Sequence, residues 1–237
     1  MNLVVGSGDT RHLLSGTHTK GFASLLQKFV SDIPPNYNSF ASPIDALRTG
    51  AILEGRYLET LDDSYFIQYK VTHEKYDCAT SSIDFAKLDG GKVVDFDELK
   101  TIYFTDYIEI IVPLTEMEEA EQLEFIKKRF KANYNQIQFQ LLCSGLESAN
   151  LVFLSVESYE DDVNYSRMVK TNDFHKFRIH RDNDVIEKIM ERLAFFQCIK
   201  NYTKRKGDIK RKLGKRGGRQ QIIDDVFVEQ LRGLFKK

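Results

Sequence analysis

Cysteine is scarce in this 237-residue chain: Cys78, Cys143 and Cys198 are odd in number and far apart. They offer neither a disulfide framework nor the paired spacing of a zinc or iron–sulfur site. The five histidines (His12, His18, His73, His175 and His180) show no ligand spacing either, so surface or structural roles account for them. No apolar run approaches the roughly 18–20 residues that span a bilayer, and no membrane partner is expected. The N-terminal stretch MNLVVGSGDTRHLL lacks the basic-then-apolar layout of a signal peptide. A reducing, cytosolic setting is the expectation. No internal repeat is evident.

What is present is a soluble, globular composition with 42% hydrophobic and 29% charged residues, and enough length for a sizeable core. The net charge of −1 hides an asymmetry. From Lys200 to Lys237 there are 13 Lys/Arg against 4 Asp/Glu, whereas the first 199 residues carry 21 against 31, a balance of −10. A basic end on an acidic body points to a polyanion partner for the tail; a solvated terminus is the plainer alternative.

Patterning gives an order of elements. Residues 1–20 read as loop or short strand. GFASLLQKFVSDI (21–33) has helical spacing and stops before Pro34-Pro35. Ser42-Pro43 opens a second helix running to about Leu61, since proline at the first helical position forfeits no intrahelical hydrogen bond. SYFIQYKVTHEKY (64–76) alternates like a strand. Asp89-Gly90-Gly91 is a hairpin turn between SSIDFAKL and KVVDFDELKTIYF. A loop through Pro113 leads to an acidic helix (117–130), then a helix around YNQIQFQLLCSG with Gly145 as its C-cap. NLVFLSVES (150–158) reads as a buried strand and FHKFRIHR (174–181) as another. DVIEKIMERLAFFQCIKNY is an amphipathic helix with Ile186, Ile189, Met190, Leu193 and Phe196 on one stripe. Beyond Tyr202 lies a basic stretch with four glycines, and IIDDVFVEQLRGLF (222–235) returns to helical spacing. The order describes an α/β sandwich with a mixed sheet.

The stretch Ser81–Lys100 carries the chemistry. Asp84 lies on one strand of the hairpin and Glu98-Leu99-Lys100 on the other. Alternation projects Glu98 and Lys100 to one side and Leu99 to the core. Two carboxylates and a backbone carbonyl are sufficient protein ligation for Mg²⁺, which keeps several waters. A lysine beside them can orient a water and favour its deprotonated form. That is the equipment for cutting a phosphodiester. On these residues alone, a solvated Glu/Lys pair on a hairpin face is an equal reading. Asp95 and Asp97 compete as ligands, although their parity puts them on the opposite face unless the strand bulges.

Over roughly Gly50 to Tyr202 the sequence resembles the lambda-exonuclease family (YqaJ-like viral recombinases) of the PD-(D/E)XK nucleases. Gly50-Ala51-Ile52-Leu53-Glu54 matches its helical G-x-x-x-E, Asp84 its aspartate, and Glu98-Leu99-Lys100 its E-L-K. Gln136-Ile137-Gln138 is similar to its Q-x-Q segment, with Gln136 at the place of the active-site glutamine. Ser82-Ile83-Asp84-Phe85 departs from the family's usual Pro-Asp-Gly or Ser-Pro-Asp. The family's N-terminal 5′-phosphate segment has an Arg followed by Thr or Ser. Here Arg11, Ser15, Thr17, Thr19 and Lys20 stand in that region, in an uncertain register, and a plain loop is the alternative.

The resemblance implies a PD-(D/E)XK, restriction-endonuclease-like core with a mixed central sheet flanked by helices. It implies a Mg²⁺-dependent deoxyribonuclease, Mn²⁺ substituting, that degrades the 5′-ended strand of double-stranded DNA ends and leaves 3′ overhangs for recombination. Asp84, Glu98, the Leu99 carbonyl and Glu54 would serve the metal, Lys100 the water, and Gln136 would complete the site. A ring-shaped homo-oligomer, a single-strand annealing protein as partner, and the cytoplasm of a bacterial host if phage-encoded are further implications. The expected division is a nuclease domain (1–203), a basic linker (204–221) and a C-terminal amphipathic helix (222–237). In the linker, Lys204, Arg205, Lys206, Lys210, Arg211, Lys212, Lys215, Arg216 and Arg219 would neutralise phosphates without reading sequence. An endonuclease on the same core and a non-catalytic DNA-binding module are the alternatives.

Overall fold

A mixed sheet is assembled around one long hairpin. The computed structural model describes residues 3–30 and 44–213, with backbone alone for 44–47 and 205–213. Lys215, Arg216, Arg219 and the C-terminal helix expected over 222–237 lie outside the described residues.

In chain order the elements are β1 (Val5–Gly6), α1 (Thr10–Leu13), α2 (Lys20–Val30), α3 (Ile44–Leu58), β2 (Tyr65–Thr72), β3 (Ala79–Asp89) and β4 (Lys92–Tyr103). Then come α4 (Phe104–Asp106), a π-helical turn (Tyr107–Ile111), α5 (Val112–Thr115), α6 (Glu119–Arg129), α7 (Lys131–Ser144), β5 (Ser148–Val156), α8 (Asp161–Ser166), β6 (Phe174–His180) and α9 (Asn183–Leu213). Gly90 and Gly91, at φ 55° and 78°, form the expected two-residue turn, with Asp89 paired to Lys92. Gly145, at φ 75°, ends α7 by donating its N–H to the Leu141 carbonyl.

Two expectations are corrected. The segment around Pro113 is helical, not a loop: proline sits in the first turn of α5, where it surrenders no helical hydrogen bond. α9 continues past Tyr202 to Leu213, so the start of the expected linker is helical. One glycine, Gly207, in a run of Lys and Arg is too weak a breaker to stop a helix already nucleated upstream.

The sheet runs β1-β3-β4-β5-β6, with β2 on the other edge of β3. β3 pairs antiparallel with β4 only from Phe85–Asp97 to the turn. From Asp97 onward β4 pairs in parallel with β5, up to Tyr103–Val156. β1 takes up β3 again at Ala79 and Thr80. Between these stretches the sheet forks: the edge of β3 over Ser81–Asp84 and the facing edge of β4 beyond Asp97 share no registered pair.

Both faces of the sheet are covered. Ile137 and Leu141 of α7 pack with Ile83, Phe96, Leu151 and Phe153 on one side. Leu53 and Tyr57 of α3 pack with Phe85, Leu99, Val152 and Leu154 on the other. A second apolar layer joins α2 to α9 behind α7, where Phe29 meets the Phe196 ring edge-on with centroids 4.9 Å apart. The sheet is therefore fixed from both sides, and the fork is held open between α3 and α7.

Candidate active site

The fork holds the residues that the sequence singled out. Because β3 has left β4 there, the Leu99 amide has no strand to bond. It donates instead to the Asp84 carboxylate, with N to Oδ2 at 3.0 Å. The N–H and C=O of one extended residue share an edge, so the Leu99 carbonyl faces the same gap. The Leu99 side chain is buried against α3, as strand parity predicts.

Glu98 points the other way, toward α7, and is fully buried. Its Oε1 accepts from Lys100 Nζ at 2.5 Å and from Gln136 Nε2. Its Oε2 accepts from Gln140 Nε2 at 2.5 Å. Gln136 and Gln140 stand four residues apart, on one face of α7. Gln140 Nε2 also approaches the Ser82 carbonyl at 3.3 Å, an acceptor that the fork leaves without a strand partner. Its Oε1 is buried with no hydrogen-bond partner among the described residues. Gln138 turns away: it donates to the His180 carbonyl and accepts from the Asp182 amide, both at 2.8 Å, at the entry to α9.

Glu54 approaches from α3 and Gln68 from β2. Gln68 Nε2 lies 3.4 Å from Glu54 Oε2 and 3.3 Å from Asp84 Oδ1. Gln68 is also the one non-glycine with positive φ among the described residues, at 49°, in the middle of a strand. For an L-residue that conformation stores on the order of 1–3 kcal/mol of strain.

The electrostatics follow from crowding. Burial, then the Glu98 charge, pushes the Asp84 carboxyl up to about 8, against the opposing pull of Lys100. Burial raises Glu54 as well, with Gln68 and Lys100 opposing and Glu98 adding to the rise. For Lys100, burial alone would lower the ammonium, but Glu98 and Asp84 outweigh it and the net direction is up. Three carboxylates around one lysine make a site that favours an added cation.

The donor set suits a hard cation: carboxylate oxygens, a backbone carbonyl and room for water. Glu54 and Asp84 present oxygens to a single amide nitrogen, so they converge on one point. Among the described residues no three His, Cys, Asp or Glu side chains form a ready-made cage. Both Glu98 oxygens are engaged by Lys100, Gln136 and Gln140.

Asp95 and Asp97 do not join this group. Asp95 pairs with Arg178 at 2.8 Å. Asp97 faces α3, fully buried, and accepts from the Tyr57 hydroxyl at 2.6 Å and from Lys176 and Asn150 at 2.7 Å each.

Fourteen solved chains are similar to this one. An alkaline exonuclease, LHK-Exo, from Laribacter hongkongensis superposes with a TM-score of 0.54 over 86% of this chain and 93% of its own, at 16% identity. The same enzyme in complex with dAMP gives 0.53 over 89% and 94%, at 17% identity. A phage-related exonuclease from Haemophilus somnus 129PT gives 0.53 over 85% and 96%, at 15% identity. This chain has the fold of those exonucleases. No family model and no curated protein sequence matches it. The α/β architecture expected from the sequence, a mixed sheet between helices, is the one observed.

The remaining expected contacts lie elsewhere. Ser15 Oγ donates to the His12 carbonyl at 2.6 Å and lies 2.9 Å from Thr19 Oγ1. Thr19 accepts from the Phe22 amide, capping α2, while Arg11, Thr17 and Lys20 are exposed nearby. No hydrogen bond or ion pair among the described residues joins these five to Glu54, Asp84, Glu98 or Lys100. Lys204, expected in a free linker, pairs from α9 with Asp77 at 3.0 Å. Arg205, Lys206, Lys210, Arg211 and Lys212 lie on the last turns of α9.

Gln68 and Gln140 escape sequence reading for different reasons. Nothing local marks a left-handed residue inside an alternating strand. Gln140, however, could be found from Gln136 by helical spacing alone.

Proposed function

We propose that this chain is a metal-dependent DNA exonuclease, a phosphodiester hydrolase acting at the ends of double-stranded DNA. The observation that carries this reading is the fork: Glu98 and Lys100 project together on one side of β4, and Asp84 closes the gap from β3. The exonuclease fold of the similar structures supports it.

In this reading Asp84, Glu98 and the Leu99 carbonyl hold Mg²⁺, or Mn²⁺ in its place, with Glu54 completing the donor set through water. The bound ion would neutralise charge developing on the phosphate and acidify its water. Lys100 Nζ, near three carboxylates, stays protonated and orients the attacking water. Gln136 and Gln140, which donate to the two Glu98 oxygens, would keep that carboxylate aligned for the ion. Arg11, Ser15, Thr17, Thr19 and Lys20 would receive the terminal phosphate, and the basic residues from Lys204 onward would hold the duplex through its backbone. Action on the 5′-ended strand, with a 3′ overhang passed to an annealing protein, and a ring of subunits in the cytoplasm of a bacterial host belong to the same proposal. The proposed units are those of the sequence: a nuclease domain over 1–203, then a basic segment and a terminal helix.

The test is digestion of 5′-phosphorylated linear duplex DNA beside a closed circle in Mg²⁺, with Lys100→Ala as control. Loss of the linear DNA alone, with mononucleotide products and an inert variant, is the expected result. Cutting of the circle would replace the exonuclease by an endonuclease. Salt-sensitive binding with no cutting would leave a DNA-binding module.

A further inference from the structure

Gln68 belongs to neither the motif nor the core, yet each of its side-chain hydrogen bonds goes to a residue at the fork. Oε1 accepts from Ser82 Oγ at 2.8 Å. That bond fixes the amide orientation and turns Nε2 toward the acids, where it meets Glu54 Oε2 at 3.4 Å and Asp84 Oδ1 at 3.3 Å. The side chain is exposed, so packing does not account for its placement. The backbone shows how it is placed. Ile67 and Tyr69 pair in register with Phe85 and Ile83, whereas Gln68, opposite Asp84, makes no registered pair and sits at φ 49°. A regular strand residue would keep the alternation; this one breaks it to bring an amide to two carboxylates from different elements, α3 and β3.

We propose that Gln68 is a positioning residue for the cation site, its amide holding the Glu54 and Asp84 carboxylates on a common point so that both are presented to one divalent ion. The inference rests on the metal-dependent reading above. Both contacts are long for hydrogen bonds, so the amide steadies the acids without competing strongly for their lone pairs. Loss of an outer partner of this kind costs roughly 10–100-fold in metal affinity or activity.

The experiment titrates Mn²⁺ calorimetrically into the full chain and into Gln68→Ala and Gln68→Gly, with melting temperature, and with kcat and KM on linear duplex DNA. Both variants should bind Mn²⁺ about 10–100-fold more weakly. Both should lose kcat at limiting metal, recover it in excess metal, and keep the KM for DNA. Gln68→Gly should melt a few degrees higher than the parent, because glycine accepts the left-handed conformation without strain. Unchanged Mn²⁺ affinity in both variants, or parental affinity in Gln68→Gly, would overturn the role of the side chain. Failure of the parent itself to bind Mn²⁺ or cut DNA would overturn the nuclease reading and this inference with it.

Discussion

Asp97 and Glu98 are neighbours in sequence, both wholly excluded from solvent, and they face opposite sides of the sheet. Asp97 is satisfied by Tyr57, Asn150 and Lys176 beneath α3. Glu98 is satisfied by Lys100 and two glutamines beneath α7. The first acid anchors the strand and the second serves the site.

Substitution should separate these roles. Asp97→Ala takes the acceptor from the Tyr57 hydroxyl and the Asn150 amide, and should destabilise the fold by about 1–3 kcal/mol for each donor left unpaired, while the exposed Lys176 ammonium stays solvated. That corresponds to a fall in Tm of roughly 10 °C for a chain of this size. Glu98→Gln, which keeps the bulk and one acceptor oxygen, should lower Tm less than Asp97→Ala and abolish DNA cleavage. Thermal melts beside a digestion assay check both; equal melting of the two variants would contradict the division.

Asp84 should make stability depend on pH in the absence of metal. Its folded value, about 8, lies above that of a free carboxylate, so the folded state holds the proton more tightly. The stabilisation is fully present below about pH 4 and is lost as pH rises toward 8. In EDTA, the parent should lose Tm over that window relative to Asp84→Asn. Mg²⁺ binding should strengthen over the same range, because the metal requires the deprotonated carboxylate. Parallel Tm profiles for the two proteins would refute the assignment.

Gln140→Leu removes the donor to Glu98 Oε2 while keeping the side chain's bulk. Cleavage should fall roughly 10–100-fold, as for other outer partners of metal ligands. Retained full activity, measured at saturating Mg²⁺, would reduce Gln140 to a packing residue.

Removing residues 205–237 takes away most of the positive charge of the C-terminal stretch. Each lost phosphate contact should flatten the slope of log affinity against log salt by about 0.9. An unchanged slope, read from binding to duplex DNA at several salt concentrations with EDTA present, would show that the tail does not touch DNA.

How far the sequence reaches can be judged residue by residue. The hairpin was legible because Asp89-Gly90-Gly91 demands left-handed backbone, and the pairing of Glu98 with Lys100 because strand parity is rigid. Gly145 marked a helix end by local chemistry. The fork was not legible: where β4 leaves β3 for β5 depends on pairing with residues more than 50 positions away, and local periodicity carries no trace of it. The helical stretch from Phe104 to Thr115 was hidden by Pro113, whose effect depends on its place in the turn. Gln68 was hidden because its backbone breaks the alternation that its neighbours advertise.

The Gly90–Gly91 turn has an implication for how this protein tolerates change. It is an exposed hairpin tip, the sort of place where insertions usually pass unnoticed. Here, a single added residue that the turn did not absorb would slip β4 by one position against β3. Every side chain on the strand would then exchange faces. Glu98 and Lys100 would swing together under α3 and Asp97 would be offered to α7 in their place, leaving composition nearly intact and the chemistry misplaced. The length of a two-residue loop at the sheet's far end therefore sets the phase of the active site.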